Sequence, residues 1–307
     1  MDRNELAMLQ ALPLDIKILK SQQRIREWYQ YFGGDVYASL SGGLDSTVML
    51  DLIRKIYPDV PAVFIDTGLE FPEVRKHALS FDPTVIRPQM RFDEVIKKHG
   101  FPVVSKETSQ YIRQARTTKS EKLLWVRLHG RPGKVPGRIF GMISKKWQFL
   151  IDAPFLISDK CCNELKKKPI ALYEKQTGRK AFVGIKSSDG MNRHRAVLHR
   201  GGCNAFVGKQ QSWPLSFWND QDILHYIRNE QLNFPAVYGE IRETDLFGTL
   251  ETTGEKRTGC AFCMFGCHMD KVNRFQRMKK THPALWNYCM GPLGLAPVLD
   301  FMGVAKE

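Results

Sequence analysis

The sequence predicts an α/β fold: a mainly parallel sheet with flanking helices, followed by a helical, cysteine-containing C-terminal part. Three observations predict it. Between residues 36 and 100, short apolar runs alternate with helical segments at the interval of βαβ units, the arrangement that builds a parallel sheet. A glycine pair sits between the first strand-like run and the helix after it. Late in the chain helical patterns dominate, and Cys260, Cys263, Cys267 and Cys289 lie there. The expected division is a nucleotide-binding α/β domain over residues 1–210 and a helical region over 211–307.

The elements follow in order. Leu14, Ile18, Ser21, Ile25, Trp28 and Phe32 recur at helical spacing, with small Ser21 among them, and Gly33-Gly34 end the helix. "DVYASL" reads as a buried strand and "LDSTVMLDLIRKIY" as a helix stopped by Pro58. "PAVFIDT" and "TVIRP" are the next strands; "EFPEVRKHAL" and "RFDEVIKKHG" are the next helices, the latter ending at Gly100. Residues 105–150 are polar and basic, and "RLHGRPGKVPGRIFG" reads as a surface loop. "KAFVGIKSSDGMNRHR" starts as a strand at Ala181 and continues as a basic turn. "WNDQDILHYIRNEQL" is a helix with Asn219 as its cap and Ile223, Leu224, Ile227 and Leu232 as apolar positions. "DKVNRFQRMKKTHPALWNYCM" is helical in two pieces, broken near Pro283.

The chain has 307 residues and carries 46 Lys and Arg against 32 Asp and Glu, a net charge of +14. That balance favours anionic partners: nucleotides, phosphate or sulfate, or a nucleic acid backbone. No apolar run is long enough to span a bilayer, and "MDRNELAMLQALPLDIKILK" lacks the apolar core of a signal peptide. The expectation is an intracellular, cytoplasmic protein without a membrane partner. The seven cysteines all lie in the second half. In such a compartment, clustered cysteines bind metal or do redox chemistry more often than they form disulfides.

The loop "SGGLDS" presents backbone N–H groups and a helix N-terminus to one point, which makes an anion site. Gly42 and Gly43 let the backbone approach phosphate oxygens, and Ser41 and Ser46 add hydroxyls. Asp45 would repel bare phosphate; exposed on the loop, it suits Mg²⁺ bridging to a polyphosphate. Two glycines alone would suit a plain strand-to-helix turn; the full hexapeptide between a strand and a helix is far more specific to an anion site.

"SGGLDS" resembles the PP-loop of adenine-nucleotide α-hydrolases and ATP pyrophosphatases. "VFIDTGLEFPEV" resembles the segment that follows it in the phosphoadenylylsulfate reductase branch. The resemblance implies a HUP-like fold with a five-stranded, mainly parallel sheet. It implies ATP cleaved between its α and β phosphates, with Ser39, Ser41, Gly42, Gly43, Asp45 and Ser46 around the phosphates and Asp66, Thr67 and Gly68 bordering the adenosine. "GIKSSDGMNR" resembles a Gly-x-Arg-x-x-(Glu/Asp)-x-x-x-Arg segment of the family. Lys186 stands where that segment has Arg, which keeps the charge but loses the bidentate fork. Arg193 and Arg195 supply further cations. Ser41, Asp45, Ser46, Lys186 and Arg193 are thus the expected catalytic set. "WPLSFWNDQDILHYI" resembles a scaffold segment of the same family, so the resemblance runs over roughly residues 14–280.

Cys161 and Cys162 are adjacent in "DKCCNELKKKP", and Cys260 and Cys263 form a Cys-x-x-Cys in "TGCAFCMFGCH". Such spacing fits zinc or a [4Fe–4S] cluster equally. The resemblance to iron–sulfur sulfonucleotide reductases implies the cluster, held by Cys161, Cys162, Cys260 and Cys263. Cys267 is a possible substitute ligand or a sulfur-handling thiol beside the cluster. Cys203 and Cys289 read as small buried hydrophobes, and His268 as a packed or solvated histidine.

The expected function is an ATP pyrophosphatase that adenylylates an acceptor for sulfur insertion. Its expected acceptor is the DNA backbone phosphate, as in the PP-loop proteins of DNA phosphorothioation systems, with a cysteine desulfurase as sulfur donor. The alternatives are tRNA thiolation, an adenylylsulfate or phosphoadenylylsulfate reductase, and a non-catalytic nucleotide- and cluster-binding module. The tail "NYCMGPLGLAPVLDFMGVAKE" lacks the Glu-Cys-Gly-(Ile/Leu)-His segment of the reductases, which weighs against that alternative. A homodimer is also an expectation.

Overall fold

A computed structural model describes residues 1–133 and 137–307. The chain runs through α1 (Arg3–Gln10), α2 (Leu14–Tyr31), β1 (Val36–Leu40), α3 (Leu44–Arg54), β2 (Ala62–Ile65), α4 (Pro72–Leu79) and β3 (Thr84–Ile86). Next come α5 (Phe92–His99), β4 (Val103–Val104), α6 (Lys106–Thr117), α7 (Glu121–His129), β5 (Arg131–Pro132), β6 (Ile139–Phe140), α8 (Lys168–Thr177) and β7 (Lys180–Val183). They are followed by α9 (Met191–Arg200), β8 (Asn204–Ala205), β9 (Gln211–Ser212), α10 (Asp220–Asn229), β10 (Ile241–Glu243), β11 (Leu250–Thr252), β12 (Met264–Phe265), α11 (Arg274–Thr281), α12 (Pro283–Met290) and α13 (Leu295–Phe301).

These elements form two compact units. One comprises Met1–Asp66, Glu70–Arg87 and Pro169–Thr258; the other comprises Thr67–Leu69, Pro88–Lys168 and Gly259–Glu307. The units interleave along the chain, so no cut after residue 210 separates them. Residues 211–258 stay with the sheet because β9 pairs with β7.

The first unit holds a six-stranded sheet in the order β3-β2-β1-β7-β9-β8. All pairings are parallel except β8 with β9. The count exceeds the five strands expected by one short edge strand. β1 lies centrally and its Val36, Tyr37 and Ala38 are fully buried. One core packs Ile25 and Trp28 of α2 with Val48 and Leu52 of α3, Phe182 of β7 and Ile223 and Ile227 of α10. Small Ser21 on α2 has a defined job there: it donates to the Pro214 carbonyl at 2.9 Å and accepts from the Trp218 indole at 2.9 Å. Asn219 caps α10 in a capping box with Asp222, and Asp222 also takes the buried Lys17 ammonium at 2.7 Å.

In the second unit β4 and β12 pair in parallel, which brings residues 103–104 beside residues 264–265. Helices α11 and α12 break at Pro283, as the sequence predicts. The stretch read as a surface loop is more ordered at both ends: residues 127–129 finish α7, and β5 pairs with β6 as a hairpin. The middle of that stretch, residues 134–136, lies outside the described residues. Among the described residues, no helix is long and apolar enough to cross a membrane.

Candidate active site and cysteine centre

β1 ends at Leu40 and α3 begins at Leu44, so residues 41–43 are the whole connection at the carboxyl end of a parallel strand. Ligands of such sheets bind at that edge. Gly42 has a φ of +76°, and a Cβ there would lie 2.6 Å from the Val74 carbonyl oxygen. Glycine alone meets both conditions. Gly43 caps α3 in extended backbone; a Cβ on it would meet the hydroxyl oxygens of Tyr238 at 3.0 Å, Thr258 at 3.3 Å and Ser41 at 3.7 Å. Its missing side chain leaves a small polar hollow at a helix N-terminus, where an anion is favoured.

The hydroxyls stiffen this loop. Ser46 accepts from the Ser41 amide at 3.2 Å and donates to the Gly43 carbonyl at 3.0 Å, so the Ser41 hydroxyl, 3.0 Å away, donates to Ser46. Thr47 donates to the same Gly43 carbonyl at 3.0 Å and lies 3.1 Å from His77 Nε2. With the Thr47 proton committed, Nε2 must carry the hydrogen of that contact. Burial lowers the His77 pKa, so the ring is held neutral. Ser39 sits within β1 between Val63 and Val183, just ahead of the loop.

Asp45 does not lie exposed on the loop. It occupies the first turn of α3, partly buried, 2.5 Å from the Lys186 ammonium. Lys186 is 2% exposed and also faces Asp220 at 3.3 Å and Asp189 at 3.5 Å. Arg257 reaches Asp189 at 3.1 Å. Burial alone would lower the Lys186 pKa, but Asp45, Asp189 and Asp220 raise it. Burial also pushes the Asp45 carboxyl up, against Lys186. The Lys186 direction prevails: one ammonium among three carboxylates keeps its proton. Arg193 and Arg195, on α9, are exposed and make no ion pair among the described residues. The segment read as a basic turn is thus mostly helix.

At the end of β2, Asp66 is buried and gripped by Arg75, with contacts of 2.9 and 3.2 Å, and Arg87 lies 3.7 Å away. In the other unit, buried Thr67 accepts from the Leu69 amide at 3.2 Å, and Gly68 has open space on its Cβ side. Several groups carried no local signal in the sequence: His77, Tyr238, Thr258, Asp220 and Arg257; Asp189 fills the acidic position of the segment around Lys186 but has no role assigned to it there. Burial pushes the Tyr238 phenol up, against hydrogen bonds from Thr258 and the Leu44 amide.

The second unit gathers the cysteines. Cys161 and Cys162 open a helix that makes a π-turn over Asn163–Lys167 before α8. Such turns recur at functional sites. Burial raises the Cys161 thiol, and its electrostatic neighbours Cys260, Cys162 and Cys263 raise it further. The Cys263 thiol is pushed up to about 11 by burial and Cys260, against Arg274. Thiols that raise one another in a buried space can ionise together only around a cation. Cys161, Cys162, Cys260 and Cys263 thus share one electrostatic neighbourhood, and they are the four cysteines that could hold a metal centre here. Among the described residues, no three His, Cys, Asp or Glu side chains are placed closely enough to hold a metal ion as they stand.

Cys267 is buried and donates to the Met264 carbonyl at 3.0 Å; burial pushes its thiol up to about 11. Cys203 and Cys289 are buried thiols bonded to Ser216 and to the Trp286 carbonyl. His268 packs edge-on against Trp147 at 4.9 Å. Arg274 donates to the Cys260 carbonyl at 3.0 Å and is the counter-charge the sequence did not single out.

A parallel α/β unit with a double-glycine anion loop at its sheet edge defines a PP-loop nucleotide-binding protein. Residues 35–270 match the phosphoadenosine phosphosulfate reductase domain, and the chain belongs to that family. The adenosine 5′-phosphosulfate reductase of Geobacillus kaustophilus is 36% identical over 217 residues, covering 68% of this chain and 70% of that protein. The uncharacterised protein MJ0973 of Methanocaldococcus jannaschii is 37% identical over 278 residues, covering 87% of this chain. The chain spans about half the length of its relatives from that organism, 42% and 50%. The crystal structure of phosphoadenylyl-sulfate reductase from Candida auris in its phosphate complex is 18% identical with a TM-score of 0.41, covering 81% of this chain and 98% of that one.

Proposed function

We propose that this protein is an ATP pyrophosphatase that adenylylates an acceptor for sulfur insertion, and that the acceptor is a DNA backbone phosphate. The observation that carries the nucleotide assignment is the charge balance under the glycine loop. Lys186 faces three carboxylates, at 2.5, 3.3 and 3.5 Å, and Arg257 offsets part of one. The set stays net negative. It disfavours a bare sulfonucleotide anion and suits a polyphosphate that arrives with a divalent cation.

In this reading the polyphosphate lies over Gly42, Gly43, Ser41 and Ser46. Asp45 would hold Mg²⁺, competing there with the Lys186 ammonium. An acceptor oxygen attacks the α-phosphorus, the α–β bond breaks, and pyrophosphate leaves into the hollow at the start of α3. Lys186 and Arg193 lower the cost of the charge on the departing oxygens. The terminal sulfur of a persulfide, with a cysteine desulfurase as its donor, then displaces AMP, which carries the acceptor oxygen away; a thiol reductant cleaves the resulting S–S bond, leaving one sulfur on the acceptor and the two electrons' worth of oxidation in a disulfide. A [4Fe–4S] cluster on Cys161, Cys162, Cys260 and Cys263 would supply redox and sulfur-binding capacity. The net charge of +14 supports a nucleic acid acceptor, and tRNA is the nearest variant.

A second reading is supported by the Geobacillus relative: reduction of an activated sulfate to sulfite. One experiment separates the two. The anaerobically purified protein is incubated with ATP, Mg²⁺ and DNA, and AMP and pyrophosphate are measured; in parallel it receives adenylylsulfate, phosphoadenylylsulfate and thioredoxin, and sulfite is measured. Pyrophosphate that rises with DNA is expected. Sulfite without any need for ATP would install the reductase reading instead.

A further inference from the structure

The positive charge of this chain is concentrated. Between residues 106 and 150 there are eleven Lys and Arg against two Glu, so this stretch holds nine of the fourteen net charges. Its described residues lie within one unit, most of them in α6, α7 and the β5–β6 pair.

Some of those cations are committed to structure. Arg116 donates to the carbonyls of Leu150, Ile151, Ala153 and Phe155 at 2.6–2.8 Å. Arg113 pairs with Asp159 at 3.0 Å. Arg127 bonds Gln114 and the Gly141 carbonyl and stacks on Tyr111 at 4.0 Å, which ties the hairpin to both helices. Lys106, Lys119, Lys122, Arg131, Arg138, Lys145 and Lys146 are exposed and make no ion pair among the described residues.

The same surface is apolar where a folded protein is rarely apolar. α7 contains Leu123, Leu124, Trp125, Val126 and Leu128, yet it has no buried residue. Trp125 is 56% exposed, Ile139 60% and Phe140 45%. Lys122, Trp125 and His129 share one face of α7 by their spacing, and the Trp125 and His129 rings lie 5.1 Å apart. In the hairpin Arg131 is paired with Phe140. Aromatics interleaved with unpaired cations on a rigid support are what a single-stranded polyanion with stackable bases requires.

We infer that α6, α7 and the β5–β6 hairpin form a nucleic-acid docking surface, in which Lys119, Lys122, Arg131 and Arg138 contact phosphates while Trp125 stacks on an unpaired base. This takes its partner from the acceptor class proposed above, but it does not depend on the ATP chemistry. The charge decides the occupant: an apolar protein partner would not need a row of exposed, unpaired cations, and a membrane would not distinguish bases.

The test uses the full chain and a fluorescein-labelled oligonucleotide, single-stranded and as a duplex, followed by anisotropy over a salt series. The wild type should bind the single strand, with log K falling linearly in log salt. Lys122→Ala and Arg138→Ala should each flatten that slope by about 0.7, because each removes one cation from the phosphates. Trp125→Ala should weaken binding about tenfold without changing the slope, and Trp125→Phe should restore most of it. Circular dichroism and thermal melts confirm that each variant is folded. Unchanged affinity in a folded Lys122→Ala, Arg131→Ala, Arg138→Ala triple variant overturns the surface. So does equally tight, Trp125-independent binding to phosphatidylglycerol vesicles. Binding that depends on these residues in a protein that never releases pyrophosphate keeps the surface and refutes only the ATP chemistry.

Discussion

Gly42→Ala and Gly43→Ala differ by one residue and should fail in different ways. At Gly42 the new methyl would meet the Val74 carbonyl oxygen at 2.6 Å, a backbone atom that cannot swing aside, and the backbone sits at a φ of +76°. The left-handed conformation costs a non-glycine residue about 1–2 kcal/mol. Relieving the clash adds about 1–3 kcal/mol. A total near 3 kcal/mol lowers the melting temperature by roughly 6–12 °C for a unit of this size. At Gly43 the backbone is extended and the nearest atoms are hydroxyls at 3.0 and 3.3 Å, at the ends of side chains. Those can give by a few tenths of an ångström, so stability should change by less than about 1 kcal/mol. The methyl nevertheless fills the hollow at the start of α3, and ATP affinity should fall about tenfold or more. Thermal melts and calorimetric titration of ATP, run below the melting range of both variants, separate the effects. A Gly42→Ala protein that melts with the wild type would refute the loop conformation. Wild-type ATP affinity in Gly43→Ala would remove the hollow from the phosphate site.

Further expectations concern the charges, the sulfurs and pH. Asp45→Asn should abolish pyrophosphate release while the protein stays folded, because Asp189 and Asp220 still compensate Lys186; turnover at the wild-type rate would exclude a role for the carboxylate. Lys186→Met leaves three carboxylates around a neutral side chain and should cost about 3 kcal/mol. Millimolar Mg²⁺ should restore more of its melting temperature than it adds to the wild type, and no such difference would speak against a cation site at Asp45. Anaerobic protein should carry about four irons per chain, lost in alanine variants of Cys161, Cys162, Cys260 or Cys263 and kept in Cys289→Ala; stoichiometric zinc would reverse the assignment. Finally, burial lowers the pKa of His77 below its unfolded value of about 6.5, so the unfolded chain binds the extra proton first. Stability from this group is complete above that value and declines as pH falls through the window beneath it. His77→Gln should make urea midpoints less sensitive to pH there, and an identical decline would clear His77.

Local signals carried the first half of the sheet and its helices. The alternation of apolar runs, the Asn219 cap and the break at Pro283 are all decided by residues within a few positions of one another. What escaped is what distance decides. The chain leaves the first unit at Arg87 and re-enters it at Pro169, and no composition shift marks either point. β8 is two residues long, Asn204 and Ala205, and has no apolar pattern; only its antiparallel pairing to β9 makes it a strand. The site divides in the same way. The glycine loop is contiguous and legible. His77 reaches Thr47 across 30 residues, and Asp220 reaches Lys186 across more, so neither pairing leaves a mark on its own segment.

Lys186 changes meaning between the sequence and the fold. Beside a family segment that has Arg at this position, lysine is a weakened phosphate clamp. Inside the fold it is 2% exposed and stands within 3.5 Å of three carboxylates contributed by α3, the turn before α9 and the start of α10. An ammonium is a point charge with three donors that radiate from one atom, and three carboxylates grouped around a point match it. A guanidinium spreads its donors in a plane and serves one or two carboxylates side by side. The substitution and the acidic surroundings therefore explain each other: with Asp45, Asp189 and Asp220 in place, lysine is the cation that fits. Its charge is spent within the protein first, and whatever reaches the phosphates does so in exchange for Asp45. That exchange is what makes a divalent cation on the nucleotide, rather than the lysine alone, the natural partner of this loop.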